Sequence, residues 1–311
     1  MLKSINIFMK LYILLIIVLI FSAMIPRCFA GEKGQSMVHK LVINGVDRSY
    51  IVYKPAVANT EGLPLMVVLH GGLGNASHME KRTGMNDIAD SGRFIVAYPN
   101  GTGGRLPAMQ DQRTWNAGSC CGRAMRQNID DVLFIKRVIE DIHSRYAIDT
   151  SRVYVAGMSN GAMMAYRLAS EIPDKIAAII AVSGTLAVDN CDSAKNVPVL
   201  HIHGDQDKNV PFDGARGEES VSIVSHRSVP DTINLVIRSR QCIASEKRTL
   251  EGNIQVSSYR CSNGALVELY VIKGGEHGWP GGRGPDKKDS AGQFSASKQA
   301  WEFAKQFSKK Q

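Results

Sequence analysis

The sequence predicts an α/β fold: one domain on a doubly wound, mostly parallel sheet, without a large lid. Three observations lead there. Apolar runs of strand length recur along the chain, several of them nearly unbroken Val/Ile/Leu, as in strands covered on both faces. Segments with helical periodicity alternate with those runs. Composition is even from about residue 38 onward, with no internal repeat and no Ser/Thr/Pro-rich linker to divide the chain.

Taken in order, strands are expected at Lys40–Asn44, Tyr50–Lys54, Leu65–His70 and Phe94–Tyr98, then at Val153–Ala156, Ile176–Val182, Val197–His203 and Val267–Ile272. Val132, Ile135, Ile139, Ile142 and Tyr146 fall on one helical face, with Asn128 or Asp130 available as its cap. Gly161 to Ile172 and Ser295 to Phe307 also read as helices. The gap between the strands ending at Val182 and starting at Val197 is too short for a large inserted lid.

Residues 1–30 read as an export signal, leaving 31–311 as the domain. Lys3 and Lys10 precede the apolar run Leu11 to Ile20, and Cys28-Phe29-Ala30 offers a small residue at the cleavage edge before Gly31. The whole chain has 311 residues, 44% of them hydrophobic, with a net charge of +8 and 6 Cys. These values exclude a disordered chain, a collagen-like chain and a small disulfide-stapled scaffold. Removing residues 1–30 takes away Lys3, Lys10, Arg27 and no acid, so the remainder carries +5. No dense Lys/Arg block is left, so no nucleic-acid partner is expected, nor membrane insertion once the signal is cut.

Export implies an oxidising compartment. Cys242 and Cys261 flank a polar segment with a turn signal at Glu251-Gly252-Asn253, and a bridge there closes a loop worth about 3 kcal/mol. One of Cys120 and Cys121 could reach Cys191, leaving a thiol over. No His or Cys pair sits at zinc-ligand spacing near these cysteines, and neither metal nor cofactor is expected.

Residues 157–161 read Gly-Met-Ser-Asn-Gly, with an apolar strand running into them and a helical pattern leaving them. That context fits a sharp strand-to-helix turn exposing Ser159 as a nucleophile. The acid and base should follow in chain order. Asp205 and Asp207 lie just beyond the strand ending at His203, and Asp207 is the expected orienting carboxylate. His277 lies in a glycine-rich loop beyond the last strand, free to reach across the sheet edge as general base. The oxyanion then needs two donors. Asn160 N–H supplies one, and Gly72 or Leu73 N–H, in the loop His70-Gly71-Gly72-Leu73-Gly74, the other. His70 is expected to brace that loop, and His201 and His203 to be strand residues.

These residues together resemble the secreted polyhydroxybutyrate depolymerase/feruloyl esterase family, a branch of the α/β-hydrolases within carbohydrate esterase family one. The matching pieces are His70-Gly71-Gly72, Tyr98-Pro99-Asn100-Gly101, Trp115 with Cys120-Cys121-Gly122, Asp130-Asp131-Val132, Gly157-Met-Ser159-Asn-Gly161, His203-Gly-Asp-Gln-Asp207 and His277-Gly-Trp279-Pro-Gly281. They keep the family's order across nearly the whole chain after the signal. The resemblance implies Ser159, Asp207 and His277 as a catalytic triad, and Trp115 and Trp279 as a rim contacting substrate. It implies a secreted serine esterase working through an acyl-enzyme on carboxylic esters, polymeric ones included, whether polyester or plant polysaccharide ester. An acetyl-xylan esterase, or a peptidase or acyltransferase on the same fold, is the alternative chemistry. A catalytically silent binding protein is the non-enzyme alternative, and it leaves the complete set of catalytic residues without a purpose.

Overall fold

A computed structural model describes residues 33–309, apart from 58, 190, 192–193, 195, 251 and 284–292. The expected export signal lies outside the described residues. The chain runs β1 (Gln35–Ile43), β2 (Val46–Lys54), β3 (Leu65–Leu69), α1 (Ala76–Thr83), α2 (Met85–Gly92) and β4 (Ile95–Pro99). A short α3 (Gly122–Arg126) and α4 (Asp131–Tyr146) follow, then β5 (Val153–Met158), α5 (Asn160–Glu171), β6 (Ala178–Val182) and β7 (Val199–Gly204). The last part is α6 (Val229–Ser239), β8 (Cys242–Leu250), β9 (Ile254–Cys261), β10 (Leu266–Ile272) and α7 (Ala296–Ala304).

The strands form one sheet in the order β1-β2-β4-β3-β5-β6-β7-β10-β9-β8. From β4 to β10 every neighbouring pair is parallel. Antiparallel hairpins, β1–β2 and β8–β9, finish the two edges. β3 to β7 are buried along their whole length, because helices cover both faces. Leu65, Val67 and Leu69 of β3 pack with Ile135, Met164 and Val229 from α4, α5 and α6. The alternate residues Met66 and Val68 pack on the other face with Met79, Met85 and Phe303 from α1, α2 and α7. The period-2 alternation of the strand thus divides the core into two layers, and the predicted doubly wound fold is observed.

The β8–β9 hairpin occupies the segment expected to be merely polar. β8 is exposed along most of its length, as an edge strand is, so it has no apolar run to betray it. Cys242 stands directly opposite Cys261 in the register, and the two are bonded. The expected link from Cys120 or Cys121 to Cys191 is not formed. Cys120 and Cys121 are joined to each other, while Cys191 is a buried free thiol packed on α6, its Sγ 3.6 Å from Ser239 Oγ.

Candidate active site

β5 hands the chain directly to α5 through Ser159, whose φ of 55° and ψ of −122° are rarely adopted by L side chains. Two neighbours make that turn feasible. A Cβ on Gly157 would collide with Gly161 O, and one on Gly161 with the carbonyls of Leu69 and His70. The Gly-x-Ser-x-Gly spacing is therefore a steric requirement of bringing β5, α5 and the loop after β3 together. Ser159 N–H donates to Val182 O at 2.8 Å. Asn160 opens α5, so its own N–H has no partner within the helix and stands at the helix's positive end.

The loop after β3 lies against this turn: a Cβ on Gly71 would sit 3.3 Å from Ser159 Cβ. Of the two donors expected there, Leu73 is already engaged, its N–H donating to Arg113 O at 2.8 Å. Gly72, the other candidate, lines the cavity together with Asn160. His70 braces the loop as expected. Its Nδ1 lies 2.8 Å from Gly71 O, and its Nε2 accepts Gly101 N–H at 2.9 Å. Burial pulls the His70 ring down to about 4, so it is neutral in this role.

On the other side, Asp207 follows β7 and His277 follows β10, parallel neighbours whose carboxyl ends deliver both loops to one edge. His277 Nδ1 is 2.7 Å from Asp207 Oδ2. The second oxygen, Oδ1, accepts the N–H groups of Asn209 and Val210 at 2.9 and 2.8 Å. Burial alone would push this carboxyl up. The hydrogen bonds from His203 and His277 outweigh it and hold Asp207 well below the usual carboxylate range. Asp205 points elsewhere, accepting Gly274 N–H at 2.7 Å and pairing with Lys273. Ser183, not singled out by sequence, accepts Gly278 N–H and donates to Gly278 O, bracing the loop that carries His277.

Ser159, His277, Gly72 and Asn160 line one cavity of about 210 Å³. Met158, Met163, Val210 and Val221 give it an apolar wall, and Asn209, Ser220, Ser222 and His226 a polar one. A larger cavity of about 680 Å³ lies around the β1–β2 turn, but no Ser, Cys or His lines it. The nucleophile and the imidazole belong to the smaller one.

A family model, esterase PHB depolymerase, matches residues 48–245. The chain belongs to that esterase family. Its relatives include "Putative esterase NocK" of Nocardia uniformis subsp. tsuyamanensis, 32% identical over 79% of this chain and 74% of that one. Feruloyl esterase B of Piromyces equi is 28% identical over 84% of this chain, which spans only 45% of that relative. Poly(3-hydroxyalkanoate) depolymerase C of Paucimonas lemoignei is 25% identical over 74% of this chain and 59% of its own length. Among solved structures, the acetyl xylan esterase from Aspergillus awamori superposes with a TM-score of 0.57 at 15% identity, covering 78% of this chain and 94% of that one. That likeness shows the shared α/β-hydrolase fold.

In this esterase neither tryptophan forms the expected substrate rim. Trp115 is fully buried, donating from its indole to His70 O at 2.9 Å. Its backbone N–H also donates to Asn160 Oδ1 at 2.7 Å. Trp279 is buried too, its indole donating to Ser297 Oγ at 2.9 Å and so tying the loop after His277 to α7. Both indoles have spent their single donor on the protein, so they hold the walls of the site without facing substrate. The cavity lining draws instead on the long connection between β7 and α6, where Val221 is exposed and lies beside Gly72.

Proposed function

We propose that this protein is an exported serine esterase that hydrolyses carboxylic esters through an acyl-enzyme, with Ser159 as nucleophile, His277 as general base and Asp207 as its orienting carboxylate. The observation that carries the reading is the meeting of a strained strand-to-helix serine and an Asp-paired histidine in one cavity. Asp207 accepts the Nδ1–H of His277, which leaves Nε2 as the proton acceptor. Ser159 Oγ attacks the ester carbonyl as its proton passes to His277 Nε2. The oxyanion formed accepts the N–H groups of Gly72 and Asn160. Collapse expels the alcohol, protonated by His277, and leaves an acyl-serine. Water, deprotonated by the same imidazole, then releases the acid and regenerates Ser159.

The cavity of about 210 Å³ accommodates one short or single-ring acyl unit, below the usual size of sites that enclose a drug-sized ligand. Hydroxyalkanoate and feruloyl esters, the substrates named among its relatives, both fit that description. Their polymeric alcohol side would remain outside the cavity mouth. A fluorophosphonate probe tests the nucleophile, and a panel of short p-nitrophenyl esters, methyl ferulate, acetylated xylan and polyhydroxybutyrate film tests the substrate. Labelling of wild type and not of Ser159→Ala is expected; a labelled Ser159→Ala protein would refute the assignment.

A further inference from the structure

Asp207 is not the end of the chain of contacts that starts at His277. β7 carries His201 and His203 two positions apart, both fully buried, their ring planes nearly parallel and their centroids 5.3 Å apart. His203 Nε2 stands 3.3 Å from Asp207 Oδ2 and 2.8 Å from Val210 O. On its other side, His203 Nδ1 is 3.2 Å from His201 Nε2. His201 Nδ1 is in turn 2.8 Å from the hydroxyl of Tyr166, on α5.

One end of this line fixes the rest. A backbone carbonyl only accepts, so His203 Nε2 must carry the proton that lies between Val210 O and Asp207 Oδ2. Where Nδ1 carries no proton, His201 Nε2–H is the donor to it. His201 Nδ1 is bare in its turn and accepts the Tyr166 O–H. Every hydrogen bond therefore points the same way, from Tyr166 toward the carboxylate.

We propose that Tyr166, His201 and His203 are positioning residues, an ordered hydrogen-bond line that holds Asp207 ionised and aimed at His277. The inference rests on the reading of Ser159, Asp207 and His277 as a triad. Polar side chains this deeply buried are costly unless each is satisfied, and this direction gives every ring nitrogen on the line a partner. Other titratable groups face its two ends. Arg240 and Cys191 lie beside Tyr166, with the Arg240 guanidinium committed to Ala194 O and Val236 O. His226 and His277 lie on the far side of Asp207.

The test is the pH dependence of kcat/KM on a short p-nitrophenyl ester, with melting temperatures recorded alongside, for His203→Phe, His203→Gln and Tyr166→Phe. Phe fills the ring's space without a donor, whereas Gln returns an N–H near the place of Nε2. Without the donor, the charge of Asp207 is answered by His277 alone, which favours the imidazolium. The acid limb of His203→Phe should move to higher pH by roughly 0.5 to 1, with kcat down about tenfold. His203→Gln should restore the wild-type limb. Tyr166→Phe, which does not touch Asp207, should move the limb in the same direction by less, because His201 can then reverse its tautomer; it carries the test alone if His203→Phe does not fold. A His203→Phe protein that melts lower yet keeps the wild-type limb and kcat overturns the proposal, as does a Tyr166→Phe limb identical to wild type. Ser159→Ala and His277→Ala separate the two levels. Wild-type turnover in either one sinks the triad itself, whereas two inactive proteins beside an unmoved Tyr166→Phe limb leave the triad standing and the line refuted.

Discussion

Asn160 contributes to the site through both its backbone and its side chain. Its N–H stands at the start of α5 and the residue lines the cavity, while its amide clasps the backbone of Trp115, accepting from N–H at 2.7 Å and donating to O at 3.1 Å. Trp115 in turn holds His70 O, so the two proposed oxyanion donors, Asn160 and the loop that carries Gly72, are tied together through Trp115. Asn160→Ala keeps the backbone donor and frees it from that clasp. Steady-state kinetics should show kcat down about 10- to 100-fold with KM little changed; an unaltered kcat would make the clasp irrelevant to the reaction. Asp207→Asn removes the acceptor that sets the His277 tautomer, and kcat should fall by about 10³-fold or more. If Asp205→Asn has the larger effect in the same assay, the two carboxylates have been assigned the wrong way round.

The elements differ in how far their sequences announced them. β3 and β6 are unbroken apolar runs, and β4, β5, β7 and β10 are apolar-rich around their Tyr, Gly or His, because helices cover the sheet's faces, and the residues that follow these strands, from Gly72 to His277, were legible as a site for that reason. β8 was not: at the sheet's edge its Ser245, Glu246 and Lys247 are exposed, and nothing local distinguishes such a strand from a loop. The choice between Gly72 and Leu73 was equally closed to sequence, since it turns on a bond to Arg113. The tryptophans misled because an indole bracing a wall and one facing substrate leave the same letter. The edge hairpin also makes a prediction. Cys242 and Cys261, 19 positions apart, staple β8 to β9, and replacing both by Ser should cost at most about 3 kcal/mol. The double variant should melt lower than the oxidised wild type and keep its kcat/KM at 25 °C, because the bridge is remote from the cavity lining.

At the scale of the whole molecule, two histidines in the core lower its tolerance of acid. His70 is drawn down to about 4, and His201 lies well below its ordinary value, both chiefly by burial. Above pH 6.5 both are neutral whether the chain is folded or not, and they add no pH dependence. Between 6.5 and 4 the unfolded chain takes up a proton that the folded His70 refuses, so stability falls by about 1.4 kcal/mol per pH for that residue. By pH 4 the loss is about 3 kcal/mol, and His201 adds to it in the same direction. Thermal melts from pH 7.5 down to 4.5 should show Tm falling steadily below about 6.5. A Tm that stays level to pH 4.5 would mean that these rings are hydrated in the native state.

The positive φ of Ser159 sets the interests of the fold against those of the reaction. A glycine in that conformation is unstrained, so the nucleophile occupies the place where the turn would be better served by having no side chain at all. Ser159→Gly should therefore melt higher than wild type, by the equivalent of about 1 kcal/mol, while having no turnover. Ser159→Ala, which keeps the Cβ and its strain, should be as inactive without the gain. The strain at position 159 thus accompanies a hydroxyl held at the head of α5.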